Sequence, residues 1–339
     1  MTELIHNFQD QIFTPERLLV AMAALAIALI GGMLKGAIGG HATPFLWHIL
    51  DILFGRLGSR MDKPSRLKGD LIFRGFILAV VVLLIGFFIG RFLGLLAGYY
   101  TTWSIVEIVS LCLVMVSGSI FVALGQLYKA LNDKKVTPGA YFTIARSTRT
   151  DLSRNDDYTI TRVGMGLALK SFDKGVVAPI FWYLIGGLPV AFIYSALAFY
   201  GWRFGRDGHG SGFGEAGVTL EKLMGFIPNM LSGVLIAFAG ILTPTAGMTR
   251  AFLGLMTTKG AATYGEGGLP MTAAAHSLNV SLGGPTTDLD GQRIKRGWIG
   301  PSGATAQLEA KHLHRVLYIC FMAHLLFFAS LSSMLMFAP

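Results

Sequence analysis

Residues 175–194 read GVVAPIFWYLIGGLPVAFIY, twenty residues without a charged side chain. At 1.5 Å per residue such a stretch covers about 30 Å as a helix, the hydrocarbon thickness of a bilayer. A soluble helix of this length would break the run with polar residues on its wet face. Gly186, Gly187 and Pro189 sit at its centre. They mark either a kink or a break between two half-helices, which a membrane protein tolerates where neighbouring protein or water meets the freed backbone groups. A plain kink is the simpler expectation.

Working outward, apolar runs of similar length lie at about 18 to 34, 72 to 98, 104 to 126, 223 to 243 and 316 to 338, and with 176 to 200 they make six. The 339-residue chain is 53% hydrophobic and 14% charged, with a mean hydropathy of +0.58. Soluble domains carry about 25% charged residues, so lipid is the solvent this composition suits. The expected fold is all-α, one polytopic transmembrane domain over residues 1–339, with six spans and long loops. Glu3, Asp10 and Glu16 face only Arg17 before the first run, which lacks the basic start and small-residue cleavage pattern of a signal peptide and is expected to stay as a span. The stretch HATPFLWHILDILF, 41–54, is apolar but too short to cross, and His41, His48 and Asp51 interrupt it. An interfacial or re-entrant helix suits it.

The net charge is +9, and 23 of the 28 Lys and Arg residues fall in three loops, 35–74, 127–175 and 244–315. Arg17, Arg203, Arg206 and Lys222 fall between the other ends of the spans, and Arg91 lies within one. The positive-inside rule then puts the three loops in the cytoplasm of a bacterial inner membrane, with both termini periplasmic. The basic residues are not interleaved with aromatics, so lipid accounts for the charge and no nucleic-acid partner is expected. Ion-coupled transport is disfavoured, because no ionisable residue falls at mid-span and the halves show no repeat. Cys112 and Cys320 read as small core residues. His312 and His314, two apart on a helix, point to different faces and share no metal site. His209 lies in a glycine-rich outer loop. In the last long loop, TKGAATYGEGGLP (258–270) and SLGGPTTDLDGQ (281–292) offer bare backbone N–H groups, but neither fits the phosphate-loop or dinucleotide glycine pattern.

Three strings, ARSTRTDL at 145–152, GVVAPIFWYLIGGLPVAFIY at 175–194 and LGGP at 282–285, together with the early Thr43-Pro44, resemble the CobD/CbiB family of cobalamin-biosynthesis membrane proteins over nearly the whole chain. The resemblance implies that family's fold. It also implies joining aminopropanol phosphate to a carboxylate of adenosylcobyric acid, an amide formation activated by ATP with Mg²⁺, so that Mg²⁺ and ATP are the implied cofactors and a corrinoid the implied substrate. Family positions kept here, and by resemblance substrate-binding, are Arg146, Thr148, Arg162, Gly175, Pro179, Trp182, Tyr194, Glu221, Gly268, Gly283, Gly284 and Pro285.

The family's polar motif residues are not kept. Its acid after the arginine of the first string falls on Ser147. Ahead of the VVAP string its two glutamates fall on Gly166 and Lys170, its asparagine on Ser171 and its aspartate on Lys174. Further on, an asparagine falls on Ala198, an aspartate on Gly201 and another asparagine on Glu266. A lysine cannot ligate Mg²⁺ in a carboxylate's place. The expectation is a kept fold without the metal and ATP site. Asp151, Asp156, Asp157, Asp173, Glu266, Asp288 and Asp290 are the acids from which a relocated site would be built, and their spacing demands none. No catalytic residue is assigned. Two functions follow. One is an amide synthase of cobalamin assembly. The other is a pseudoenzyme serving as a subunit of a membrane complex, with Lys170 and Lys174 facing an anionic partner protein or lipid headgroups.

Overall fold

The computed structural model describes residues 13–337, apart from 38, 64, 100–102, 135–137, 154, 206–211, 245, 290 and 292. Asp290, His209 and Arg206 lie outside the described residues.

Helix α1, Pro15–Lys35, begins where the Thr14 hydroxyl accepts from the Arg17 N–H, with proline at its first position, the usual chemistry of a helix start. The stretch too short to span forms α2, Phe45–Leu50, a π turn at Asp51–Gly55, and α3, Arg56–Met61. Next come α4, Lys68–Tyr99, α5, Trp103–Val114, α6, Gly118–Asn132, and α7, Pro138–Thr148. Helix α8, Asp157–Phe172, is capped by Asp156, which accepts from the Thr159 N–H at 3.0 Å. A π turn at Asp173–Val177 leads into α9, Ala178–Phe204. Then follow α10, Glu215–Ala239, α11, Met248–Met256, α12, Gly268–Leu278, and α13, Ala310–Met336. Two short antiparallel ladders between α12 and α13 pair Leu282–Gly283 with Trp298–Ile299 and Thr286–Thr287 with Arg293–Ile294. Among the described residues, six helical stretches are long and apolar enough to cross a membrane, and each overlaps one of the six apolar runs, the fourth extending from Asp157 to Phe204. Phe73, Phe76, Phe88 and Phe92 of α4 are exposed, as suits a helix whose solvent is acyl chain.

Three local expectations are corrected. The run 104–126 is not one helix. It opens at Met115–Ser117, where the Val116 N–H donates to the Gly175 carbonyl at 2.9 Å, so the amide freed by the break finds its partner across the bundle. A Cβ on Gly175 would stand 2.4 Å from Val116 Cγ1, and only glycine permits that approach.

The glycines of α9 are a break with a reversal, not a kink. Gly186 and Gly187 are non-helical, Gly187 at φ +67° and ψ −163°. Before them the chain climbs beside α5, Gly175 on Val116 and the Tyr183 hydroxyl donating to Glu107 at 2.6 Å. After them it descends beside α4, Leu188 against Gly90, Phe192 and Ala196 against Gly86, and Tyr200 donating to the Gly75 carbonyl at 2.9 Å. Because of that reversal Arg203 is not across the membrane from the 35–74 loop. Its Nε donates to Asp51 at 2.8 Å and its Nη2 to the Ser59 hydroxyl at 2.9 Å, and Lys68 pairs with Glu215 at 3.7 Å. The basic end of the bundle thus includes Arg203 and Glu215.

Candidate functional site

At that basic end, α8, the π turn, α9, α10 and the last long loop enclose a cavity of about 140 Å³, room for a small polar group with its waters. Arg162, Gly166 and Lys170 line it from positions one turn apart on one face of α8, the i, i+4 spacing that stacks side chains along a helix. The π turn then carries one more residue per turn than α8. It directs Lys174 to the cavity and Asp173 away from it, into a pocket where Asn229 and Ser232 donate to its two oxygens at 2.6 and 2.9 Å.

Four cations line the cavity, Arg162, Lys170, Lys174 and Arg296, against two carboxylates, Glu221 and Glu266. Both carboxylates are committed. Glu221, whose side chain is 2% exposed, accepts from Lys174 Nζ at 2.5 Å. Glu266 accepts from the Thr263 hydroxyl at 3.0 Å and from the Gly297 N–H at 3.3 Å, bracing the loop. The Lys174 ammonium also stands 4.6 Å over the Tyr264 ring, whose hydroxyl meets that of Tyr194 at 3.3 Å. Burial pushes the Tyr264 hydroxyl well above its ordinary pKa, so it stays a proton donor.

Lys170 and Arg162 differ from Lys174 in having no carboxylate bonded to them among the described residues. Lys170 Nζ has the Gly265 carbonyl at 3.4 Å, a long contact for an ammonium. Arg162, 8% exposed, stacks on the Trp298 ring at 4.8 Å and donates to the Thr159 hydroxyl at 3.2 Å, while its buried Nε has no hydrogen-bond partner among the described residues. Ser147, at a family acid position, holds backbone instead. Its hydroxyl accepts from the Ala42 N–H at 2.8 Å and donates to the Thr143 carbonyl at 2.7 Å. Beside Ala42, the His41 ring lies 5.2 Å from that of His48, tilted 48° to it, and burial and the Arg146 charge push the His41 pKa down to about 4.

Of the residues singled out by resemblance, Thr148, Arg162, Gly175, Glu221 and Gly283 line the cavity. The others surround it or lie apart. Arg146 stacks on Phe142 at 5.0 Å at the surface. Pro179 is buried at the start of α9. Trp182 donates to the Met224 carbonyl at 3.2 Å, Tyr194 meets Tyr264, and Gly268, at φ +58°, lets Asn229 reach the Leu269 N–H at 2.9 Å. Gly284 lies under the Trp298 ring, and Pro285 follows it in the loop. The lysines expected to face a partner or lipid instead point inward. The spans also hold buried ionisable residues, Asp173 and Glu221, that the sequence reading placed outside them. Asn229, Ser232, Tyr264 and Arg296 were missed, since each reaches the site from a distant element and none carries a local motif.

These residues offer a Mg²⁺ ion little. Such an ion keeps several waters and is usually held by one or two carboxylates together with substrate phosphates; of the two carboxylates on this wall Glu221 is bonded to Lys174 and Glu266 braces the loop, and among the described residues no three His, Cys, Asp or Glu side chains cluster. The acids considered for a relocated site are dispersed. Asp156 caps α8, Asp151 accepts from the Ser153 N–H and hydroxyl at 2.9 and 2.7 Å, and Asp288 lies in a backbone bridge with Thr150.

Comparison with protein families matches residues 21–320 to the CobD/Cbib protein family. The chain is similar to proteins named cobalamin biosynthesis protein CobD. The Brucella suis protein is 26% identical over 187 residues, 55% of this chain and 57% of that one. The Dehalococcoides mccartyi protein is 25% identical over 270 residues, 79% and 84% of the two chains. The Geobacter metallireducens protein is 34% identical over 147 residues, 40% and 44%. Against the Brucella and Geobacter relatives, the match spans about half of their length. No solved structure matches the chain.

Proposed function

Because the chain belongs to the CobD/CbiB family, whose pattern covers residues 21–320, we propose that it is a non-catalytic member serving cobalamin assembly as a ligand-binding subunit in the membrane. On this reading the chain keeps the family fold and a cavity at its basic end without the family's amide-forming reaction. The observation that carries this reading is the charge of the cavity wall. Lys170 and Lys174 stand where the family has carboxylates, and the Glu221 carboxylate is neutralised by Lys174 at 2.5 Å. Amide formation through a phosphorylated carboxylate needs Mg²⁺ to bridge and neutralise phosphate oxygens. Among the described residues the lining offers two carboxylates, one bonded to Lys174 and the other bracing the loop.

The test supplies adenosylcobyric acid, aminopropanol phosphate and Mg-ATP to membranes carrying the protein, beside membranes carrying an active family member. The expected result is adenosylcobinamide phosphate from the control alone. Product from this chain above the level of empty membranes overturns the reading and restores the synthase, with a partner or relocated residues supplying the metal site.

A further inference from the structure

Helix α10, Glu215–Ala239, is long and apolar enough to cross a membrane, yet its contacts place both of its ends at the basic end of the bundle. At its start Glu215 pairs with Lys68 at 3.7 Å, and the Phe213 carbonyl just before it accepts from the Tyr200 hydroxyl near the close of α9. Past its far end Gly240 lies against the Ser277 hydroxyl, and the Gly247 N–H donates to the Ser277 carbonyl at 2.9 Å. Three residues on, Val280 bridges to Thr305, shortly before α13 begins and its Leu313 meets Gly164 of α8. An upright helix of 25 residues would carry its end about 37 Å away, more than the thickness of the hydrocarbon. The middle of α10 agrees with its ends. Glu221 and Ser232, about 16 Å apart along the helix, reach Lys174 and Asp173, which are neighbours in the chain. Helix α10 therefore passes across α8 and α9 and does not run alongside them.

We infer that α10 lies in the plane of the membrane, seated in the leaflet at the basic end, with lipid as the partner of its outer face. Leu223, Phe226, Ile227 and Met230 are exposed at the i, i+3, i+4, i+7 spacing of one helix face, while Glu221, Gly225, Pro228, Asn229 and Ser232 are buried on the other. That division is the pattern of an amphipathic helix. Helix α11 extends the apolar face, its Phe252 ring edge-on to Phe238 at 5.1 Å and its Leu253 and Met256 exposed. Lys222, Arg250 and Lys259 are exposed on these two helices and the turn after them. An apolar face with cations beside it is what a helix at an anionic lipid surface carries. The face also continues a surface that meets acyl chain, because α4, with Phe73 and Phe76 exposed, touches the start of α10 through Gly75 and Phe213. The end of α9 fixes the depth. Gly201 and Gly205 lie against Glu221 and Val218 of α10, and Arg203 between them donates to Asp51 at 2.8 Å. So α10 shares one level with the α2–α3 stretch, which exposes Ile52, Leu53 and Leu57. The crossings still number six, since the two halves of α9 count separately and α10 does not count. The cavity, walled in part by Val218 and Glu221, then lies at the level of the headgroups.

The test measures depth along α10 in the full chain, reconstituted in vesicles of phosphatidylcholine and phosphatidylglycerol. In a Cys112→Ala, Cys320→Ala background, Leu223→Cys, Phe226→Cys, Met230→Cys and Phe238→Cys each carry one fluorescent label. Phospholipids spin-labelled at the headgroup or deep in the acyl chain quench it. An in-plane helix gives the same ratio of shallow to deep quenching at all four positions. An upright helix would set Phe238 about 22 Å deeper or shallower than Leu223, and a ratio that shifts steadily with position overturns the inference. Quenching by neither lipid at any position also overturns it, because a protein partner then covers the face. Thr219→Cys and Thr249→Cys, exposed near the two ends, give a second reading should a labelled face variant fail to fold. A membrane-impermeant maleimide should reach both from the same side of sealed membrane vesicles, and access from opposite sides overturns the inference. Neither measurement depends on what the cavity binds, so the functional reading above can fail while this one stands.

Discussion

Lys174 and Glu221 form a buried ion pair on the cavity wall, and its worth depends on what is left when it is broken. A buried pair gains little over apolar residues of the same shape, because two ions had to leave water to form it. Removing one partner is a different matter, since the other stays buried and uncompensated. Glu221→Gln keeps the shape and deletes the charge, leaving Lys174, 12% exposed, beside the cations Lys170 and Arg296. It should lower unfolding stability by about 3 kcal/mol, the lower end for a broken buried pair because Lys174 borders a wettable cavity. A denaturant series in detergent checks this, and a loss under about 1 kcal/mol would mean that the pair does not hold the wall together. The lysines were legible as replacements of acids. Their direction was not, because whether a helical lysine faces lipid or a cavity depends on what packs against that face, here α10, α12 and the loop after it.

The break in α9 gathers most of what was misread at the level of elements. Gly-Gly-x-Pro was legible as an irregularity, but a kink and a reversal have the same local signature. The reversal is decided by non-local partners. Gly86 and Gly90 let the returning half of α9 lie directly on α4. Arg17, from α1, donates to the carbonyls of Leu184 and Ile185 at 3.3 Å each, capping the half-helix that the break leaves open. The opening at Met115–Ser117 carries still less signal, since its cause, the Gly175 carbonyl, is almost sixty residues away in sequence. Gly187 sits in a region of backbone space open essentially to glycine. Gly187→Ala should therefore cost about 1–3 kcal/mol. Cβ contacts add little at that position, Arg17 lying 3.6 Å from where the new atom would stand. Thermal unfolding in detergent measures it, and an unchanged midpoint would argue that the chain does not reverse there.

For the molecule as a whole, the six apolar runs were legible as membrane helices because composition and length alone specify one, although the fourth turns back at Gly186–Gly187, and the family was legible in strings rich in Gly, Pro and aromatic residues, which hold the fold. The polar site was legible only as a loss of acids. What replaced them became visible once α8, the π turn, α10 and the last loop were seen to share one cavity, with Asp173 drawn off to Asn229 and Ser232 and Glu266 committed to the loop. The basic end of the bundle proves larger than the loop count suggested, because the end of α9 returns to it. The central claim is that this cavity presents cations at positions where the family resemblance places carboxylates, and so does not hold Mg²⁺. Binding of Mn²⁺, a spectroscopic stand-in for Mg²⁺, to the purified chain tests it most directly, by the loss of the free-ion paramagnetic resonance signal with ATP absent and present. The account predicts no bound ion beyond that held by ATP itself. One Mn²⁺ per chain, released by Glu221→Gln, would contradict it.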